Sequence, residues 1–140
     1  MRLDDRTLTR IYARTSGYCH LCGSKLSRTN YGKHGARGAW EIEHSLPRIK
    51  GGSDHINNLY PACIRCNRSK GSTTTRTARR WHGRTRAPLS PARRVEAKGR
   101  SAVVGALTLG LVGRAVLGPW GAVLGGIGGA LIGHRANPDR

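Results

Sequence analysis

The sequence holds no Phe, a single Met and only 5% aromatic residues. A core built on large rings is therefore excluded, and a folded region of about 70 residues needs some other brace. Acids are nearly as scarce, with seven Asp and Glu against 25 Lys and Arg and a formal net charge of +18. That balance excludes a neutral surface and suits polyanions, nucleic acid first and anionic membrane second. Twenty of the 25 cations are Arg, whose planar fork makes bidentate contacts with phosphate. A leading apolar segment is absent too, so the four cysteines are expected as thiolates in a reducing compartment rather than as disulfides, and the chain in the cytoplasm.

What is present begins with those cysteines, which fall in two Cys-x-x-Cys pairs, Cys19 with Cys22 and Cys63 with Cys66. Each pair supplies half a tetrahedron, and together they predict a structural zinc. Four thiolates leave no open position, so this ion is not catalytic.

Between and around the second pair lies the densest run of chemistry, E-H-S-L-P-R-I-K-G-G-S-D-H-I-N-N-L-Y-P-A-C-I-R-C-N-R-S-K over residues 43–70. Residues 40–43 alternate large apolar groups with carboxylates, which predicts a short half-buried strand, and Pro47 blocks its continuation. His44 then stands at the strand end. Gly51-Gly52-Ser53-Asp54 signals a turn, Asn58-Leu59 resumes order, and residues 66–70 open a short helix that Gly71 closes. The resulting order of strand, loop, strand and helix is an α+β arrangement that can bring Glu43, His44 and Asn67 together. A carboxylate and an amide oxygen are hard ligands suited to Mg or Mn, and an imidazole titrating near neutrality can deprotonate water. This combination suits phosphodiester hydrolysis.

At Glu43-His44, Pro47, Gly51-Gly52, Asp54, Asn58-Leu59, Cys63-x-x-Cys66-Asn67 and Lys70-Gly71, with the earlier Cys19-x-x-Cys22-Gly23, the sequence resembles the HNH endonucleases that carry a four-cysteine zinc site around a ββα-metal core. The resemblance covers about residues 10–72. It implies His44 as general base, Asn58 as the asparagine that fixes the catalytic loop, and Asn67 with Glu43 as ligands of a catalytic divalent ion, Mg, Mn or another. Two positions depart from the usual pattern: Asn67 stands where histidine is frequent, giving an H-N-N form, and Glu43 stands where aspartate is usual.

The remaining chain reads as support. Leu3, Leu8, Ile11 and Tyr12 predict a helix over about residues 5–15, capped by Asp4 or Asp5, with Arg6, Arg10 and Arg14 on one stripe. Residues 27–39 form a long loop in which Tyr31, Lys33, His34 and Arg37 can reach nucleic acid. His20 is expected to be exposed. Arg48, Arg65, Arg68 and Lys70 are the expected phosphate contacts. Residues 73–100 read as a basic linker, helical around residues 78–82.

The tail has another composition: residues 102–113 and 115–133 carry no charge, Arg114 separates them, and Gly118-Pro119 breaks the second arm. Each arm is short for a span of about 20 residues. Gly121, Gly125, Gly129 and Gly133 recur every four residues, the pattern of a glycine zipper that lets helices approach closely in lipid. The organisation expected is an HNH domain at 1–72, the linker at 73–100 and an apolar helical hairpin at 101–140, with membrane contact or self-association through residues 101–133. The function expected is DNA cleavage with low sequence specificity, since no separate base-reading module is visible. A zinc ribbon that holds nucleic acid without cutting it, and a membrane-associated toxin or defence nuclease, are the competing readings.

Overall fold

A computed structural model describes residues 3–135, apart from the side chains of Gly113, Leu117, Gly118, Pro119 and Arg135. The chain divides into two compact units, Met1–Pro91 and Ala92–Arg140.

In the first unit, α1 (Asp5–Ala13) starts where Asp4 accepts the Thr7 N–H at 2.7 Å, and buries Ile11. Strands β1 (Trp40–His44) and β2 (Leu59–Cys63) pair antiparallel, with Trp40 opposite Cys63 and His44 opposite Leu59. β2 runs directly into α2 (Ile64–Lys70), and α3 (Thr75–Arg80) follows, capped by Thr74. Helix α2 thus begins two residues before the expected start at Cys66, because Cys63 already serves as its N-cap. The core is Ile11, Cys19, Leu21, Leu26, Trp40, Leu59, Ala62, Cys66 and Ala78. Trp40 is its one large ring, flanked by Tyr12 and Tyr31 at 5.4 and 4.9 Å between centroids.

Residues 73–91, expected as linker, pack within this unit. Ala78 joins the core, Arg79 donates to the His20 carbonyl at 2.9 Å, and Ser16 donates to the Leu89 carbonyl at 2.8 Å. An Arg-rich stretch looks like solvent-facing chain in sequence, yet Thr75 also turns inward and donates to the Ser45 carbonyl at 2.9 Å.

The second unit consists of α4 (Pro91–Arg135) and the residues beyond it, of which 136–140 lie outside the described residues. In a straight helix residues 105 and 129 would stand about 36 Å apart. Instead a Cβ on Gly105 would lie 2.1 Å from the Gly129 carbonyl oxygen, and one on Gly125 2.3 Å from that of Leu109. Residues 101–110 and 122–133 therefore touch backbone to backbone. The joint expected at Gly118-Pro119 falls where the side chains are outside the described residues. Among the described residues no helix is long and apolar enough to cross a membrane.

Candidate active site and thiolate cluster

The first knuckle is closed by backbone bonds, Cys19 N–H donating to the Ser24 carbonyl at 2.8 Å and Gly23 N–H to that of Cys19 at 2.9 Å. Cys63 ends β2 and Cys66 sits in the first turn of α2, so a strand–helix junction delivers the second pair. All four sulfurs lie within 4.8 Å of one another, Cys22 and Cys63 at 3.9 Å. Tetrahedral zinc with bonds of about 2.3 Å needs sulfurs about 3.8 Å apart, so the donor set fits. Hydrogen bonding from Cys19 draws the Cys63 thiol down to about 7, toward the thiolate form that zinc requires.

Apart from the cluster, an open cleft of about 450 Å³ is lined by Tyr31, Glu41, Ile42, His44, Arg48 and Asn67. His44 comes from the end of β1 and Asn67 from the middle of α2. The His44 Nε2 lies 2.7 Å from Asp54 Oδ1, and Arg48 grips the same carboxylate, with Nη2 2.6 Å from Oδ1 and 2.7 Å from Oδ2 and its Nε 3.3 Å from His44 Nε2. These bonds, from His44 first and Arg48 second, hold the Asp54 carboxyl below the usual carboxylate range.

The loop between the strands is fastened by Asn58. Its Oδ1 accepts the Leu46 N–H at 2.7 Å, and its Nδ2 donates to the carbonyls of Leu46 at 3.0 Å and Ser53 at 2.9 Å. Gly52 is required here, since a Cβ would lie 1.8 Å from the Leu46 carbonyl oxygen. The loop that carries Arg48 and Asp54 is thus set by one amide and one glycine.

Residues 19–73 match the family model of the HNH endonucleases. The match takes in both cysteine pairs, His44, Asn58 and Asn67, and it points to a nuclease. No curated protein matches the chain.

Within this matched region the structure departs from several expectations. Glu43 is not in the cleft: it is 2% exposed, with Oε1 2.6 Å from Lys70 Nζ and Oε2 2.5 Å from His20 Nε2. Both oxygens face buried protein groups and neither lines the cleft. Lys70 does not reach phosphate either, because its ammonium is buried against Glu43 and the His44 carbonyl, the latter at 3.1 Å. His20, expected to be exposed, is fully buried and stacks on Tyr60. Arg79 donates to its Nδ1 at 3.2 Å, which leaves the ring proton on Nε2, facing Glu43. Burial drives the His20 pKa below its ordinary value, in keeping with a neutral ring. The stripe on α1 loses its last member, since Arg14 donates to the carbonyls of Ile56 and Leu59 and lies over the Tyr60 ring.

Arg48, Arg65 and Arg68 do reach the surface. Arg48 and Asn67 share the cleft, and Arg68 approaches Glu41, another cleft residue, at 3.7 Å. Two cleft-side groups drew no role from sequence. Asp54 stood in the motif string as a turn residue, and Glu41 carried its signal in the alternation of β1, two residues before Glu43 on the same side of the strand.

Proposed function

We propose that the chain is a metal-dependent DNA endonuclease that hydrolyses phosphodiester bonds with low sequence specificity, His44 serving as general base. The observation that carries this is the convergence of His44, Asn67 and Arg48 on one cleft, although they come from a strand, a helix and the loop between the strands. Asp54 accepting at one ring nitrogen of His44 fixes a proton there and leaves the other nitrogen its lone pair, with which it takes a proton from water. Asn58 holds the loop so that this orientation precedes substrate binding. Arg48 and Arg68 supply cationic partners for phosphate around the cleft, and Arg65 extends the basic surface. A divalent ion, Mg or Mn, bound through the Asn67 amide oxygen and a cleft carboxylate, would neutralise charge on the phosphate and leaving oxygen. Zinc on the four cysteines is structural in this reading.

Purified protein incubated with supercoiled plasmid tests it. Nicking with Mg, Mn or Ni that disappears in His44→Ala, with zinc content and DNA binding retained, is the expected result. A zinc-loaded, DNA-binding protein that never nicks would instead be a noncatalytic zinc ribbon.

A second reading concerns residues 101–133. There the glycine-bearing backbones face one another while Val103, Val104, Leu107, Leu111, Trp120, Val123, Leu124, Ile127, Leu131 and Ile132 are exposed. We read this as a glycine-zipper hairpin that places the protein on a membrane from the cytoplasmic side, as in a tethered defence nuclease or a toxin. Deleting residues 101–140 should release the protein from anionic liposomes; unchanged cosedimentation rejects the idea.

A further inference from the structure

Glu41 and Glu43 are chemically identical and stand two residues apart on β1, yet their surroundings are opposite. Glu43 is sealed between a buried ammonium and a buried imidazole. The Glu41 side chain is 25% exposed and opens on the cleft shared with His44 and Arg48. Its Oε2 accepts from Asn67 Nδ2 at 3.0 Å, and its Oε1 lies 3.5 Å from His34 Nε2. Three metal-binding side chains from three segments, the long loop, β1 and α2, thus meet around one carboxylate.

We propose that Glu41, with Asn67 and His34, holds the divalent ion on which the proposed cleavage depends, and that Glu43 does not. This rests on the nuclease reading above. The donor chemistry is one carboxylate oxygen, one amide oxygen and one imidazole nitrogen, with water and phosphate oxygens left to complete the shell. An imidazole in the set favours Mn or Ni over Mg. Turning the Asn67 amide over presents its oxygen, in place of its nitrogen, on the side of Glu41. Arg68 stands 3.7 Å from Glu41 Oε1 and 3.2 Å from His34 Nδ1, so it supplies the positive charge that the ion would bring. At 64% exposure it is free to swing toward phosphate when the ion enters. Glu43 keeps a separate task, tying β1 to the first knuckle through His20 and to α2 through Lys70.

The test is Mn binding to the full zinc-loaded chain without DNA, followed by electron paramagnetic resonance of free Mn, beside plasmid nicking. Glu41→Gln should weaken Mn binding at least tenfold and His34→Ala several-fold, with zinc content and unfolding temperature unchanged. Glu43→Gln should lower the unfolding temperature while the folded protein binds Mn within twofold of the parent. Equal Mn affinity in Glu41→Gln, loss of Mn binding in folded Glu43→Gln, or a parent chain that binds no Mn would each overturn the proposal. Should Glu43→Gln fail to fold, the two cleft variants decide the matter alone. A parent that nicks while Glu41→Gln binds Mn normally sinks the ligand assignment and leaves the nuclease standing. A parent that binds Mn through Glu41 and never nicks supports the ligand assignment and sinks the nuclease.

Discussion

Lys70 Nζ lies 2.6 Å from Glu43 Oε1 where neither side chain touches water, so the last turn of α2 is joined to β1 by a charge pair inside the domain. Coulomb attraction at such a distance offsets the desolvation of both ions only while both are present. The Lys70 ammonium also donates to the His44 carbonyl, which links the pair to the backbone of that cleft histidine.

Lys70→Ala leaves a buried carboxylate unpaired. We expect it to destabilise the first unit by about 3–5 kcal/mol, the range for breaking a buried pair. Urea unfolding followed by circular dichroism measures this. Arg68→Ala, on an exposed side chain, should leave stability within about 0.5 kcal/mol and weaken DNA binding instead.

Acid should act on this network twice. His20 is held neutral by burial, its pKa below the unfolded value near 6.5, so the unfolded chain takes up the proton first and stability falls as pH drops below 6.5. Glu43 is pushed up by burial but pulled further down by His20 and Lys70, ending below 4.5. Its contribution is whole above pH 4.5 and is lost as pH falls through the lower folded value. Unfolding measured from pH 8 down to about 2 should show the first decline vanish in His20→Gln and the second shrink in Glu43→Gln; parallel curves for all three proteins would contradict this account.

Asp54→Asn keeps the shape of the His44 partner but removes its charge. With the nuclease active, nicking should slow roughly 10- to 100-fold, within the range that positioned acid–base groups supply. Asp54→Glu, which keeps the charge, should recover part of the rate, while zinc content stays constant in both variants. A rate in Asp54→Glu as slow as in Asp54→Asn would contradict the charge argument.

Removing the thiolate-bound metal should unfold the first unit, since its core has one large ring and the cluster joins the knuckle to β2 and α2. One zinc per chain is expected by elemental analysis. Chelator at neutral pH should abolish the unfolding transition, and Cys66→Ser should do so without chelator.

How much of this was written in the sequence depends on the kind of signal. The cysteine pairs, the strand ending at His44, the glycine turn and the stapling asparagine are local or motif features, and all appear where expected. Glu43, Lys70 and His20 were misread because a charged or polar residue carries no local mark of burial; its partners lie 23–27 positions away and only the fold brings them in. Arg14 and Arg79 were misread for a related reason: an Arg that caps carbonyls inside the domain has the same spacing as one that faces solvent. Helix α3 was expected around residues 78–82 and instead runs over Thr75–Arg80, because Thr74 caps it and Thr75, polar in sequence, turns inward with Ala78.

The pairing of Trp40 with Cys63 has one more consequence. The first rung of the sheet sets the core tryptophan of β1 opposite a cluster cysteine of β2, so the ring core and the sulfur centre meet at one end of the sheet. A slip of two residues, about 6.8 Å, would carry Glu41 into the place of Glu43 without changing which side of the strand faces inward. Charge does not forbid that slip, because the two positions carry the same residue; Trp40 does, since it would leave its fully buried place between Tyr12 and Tyr31. The tryptophan is therefore a selector: its burial decides which of two interchangeable acids is locked away and which is offered to the cleft.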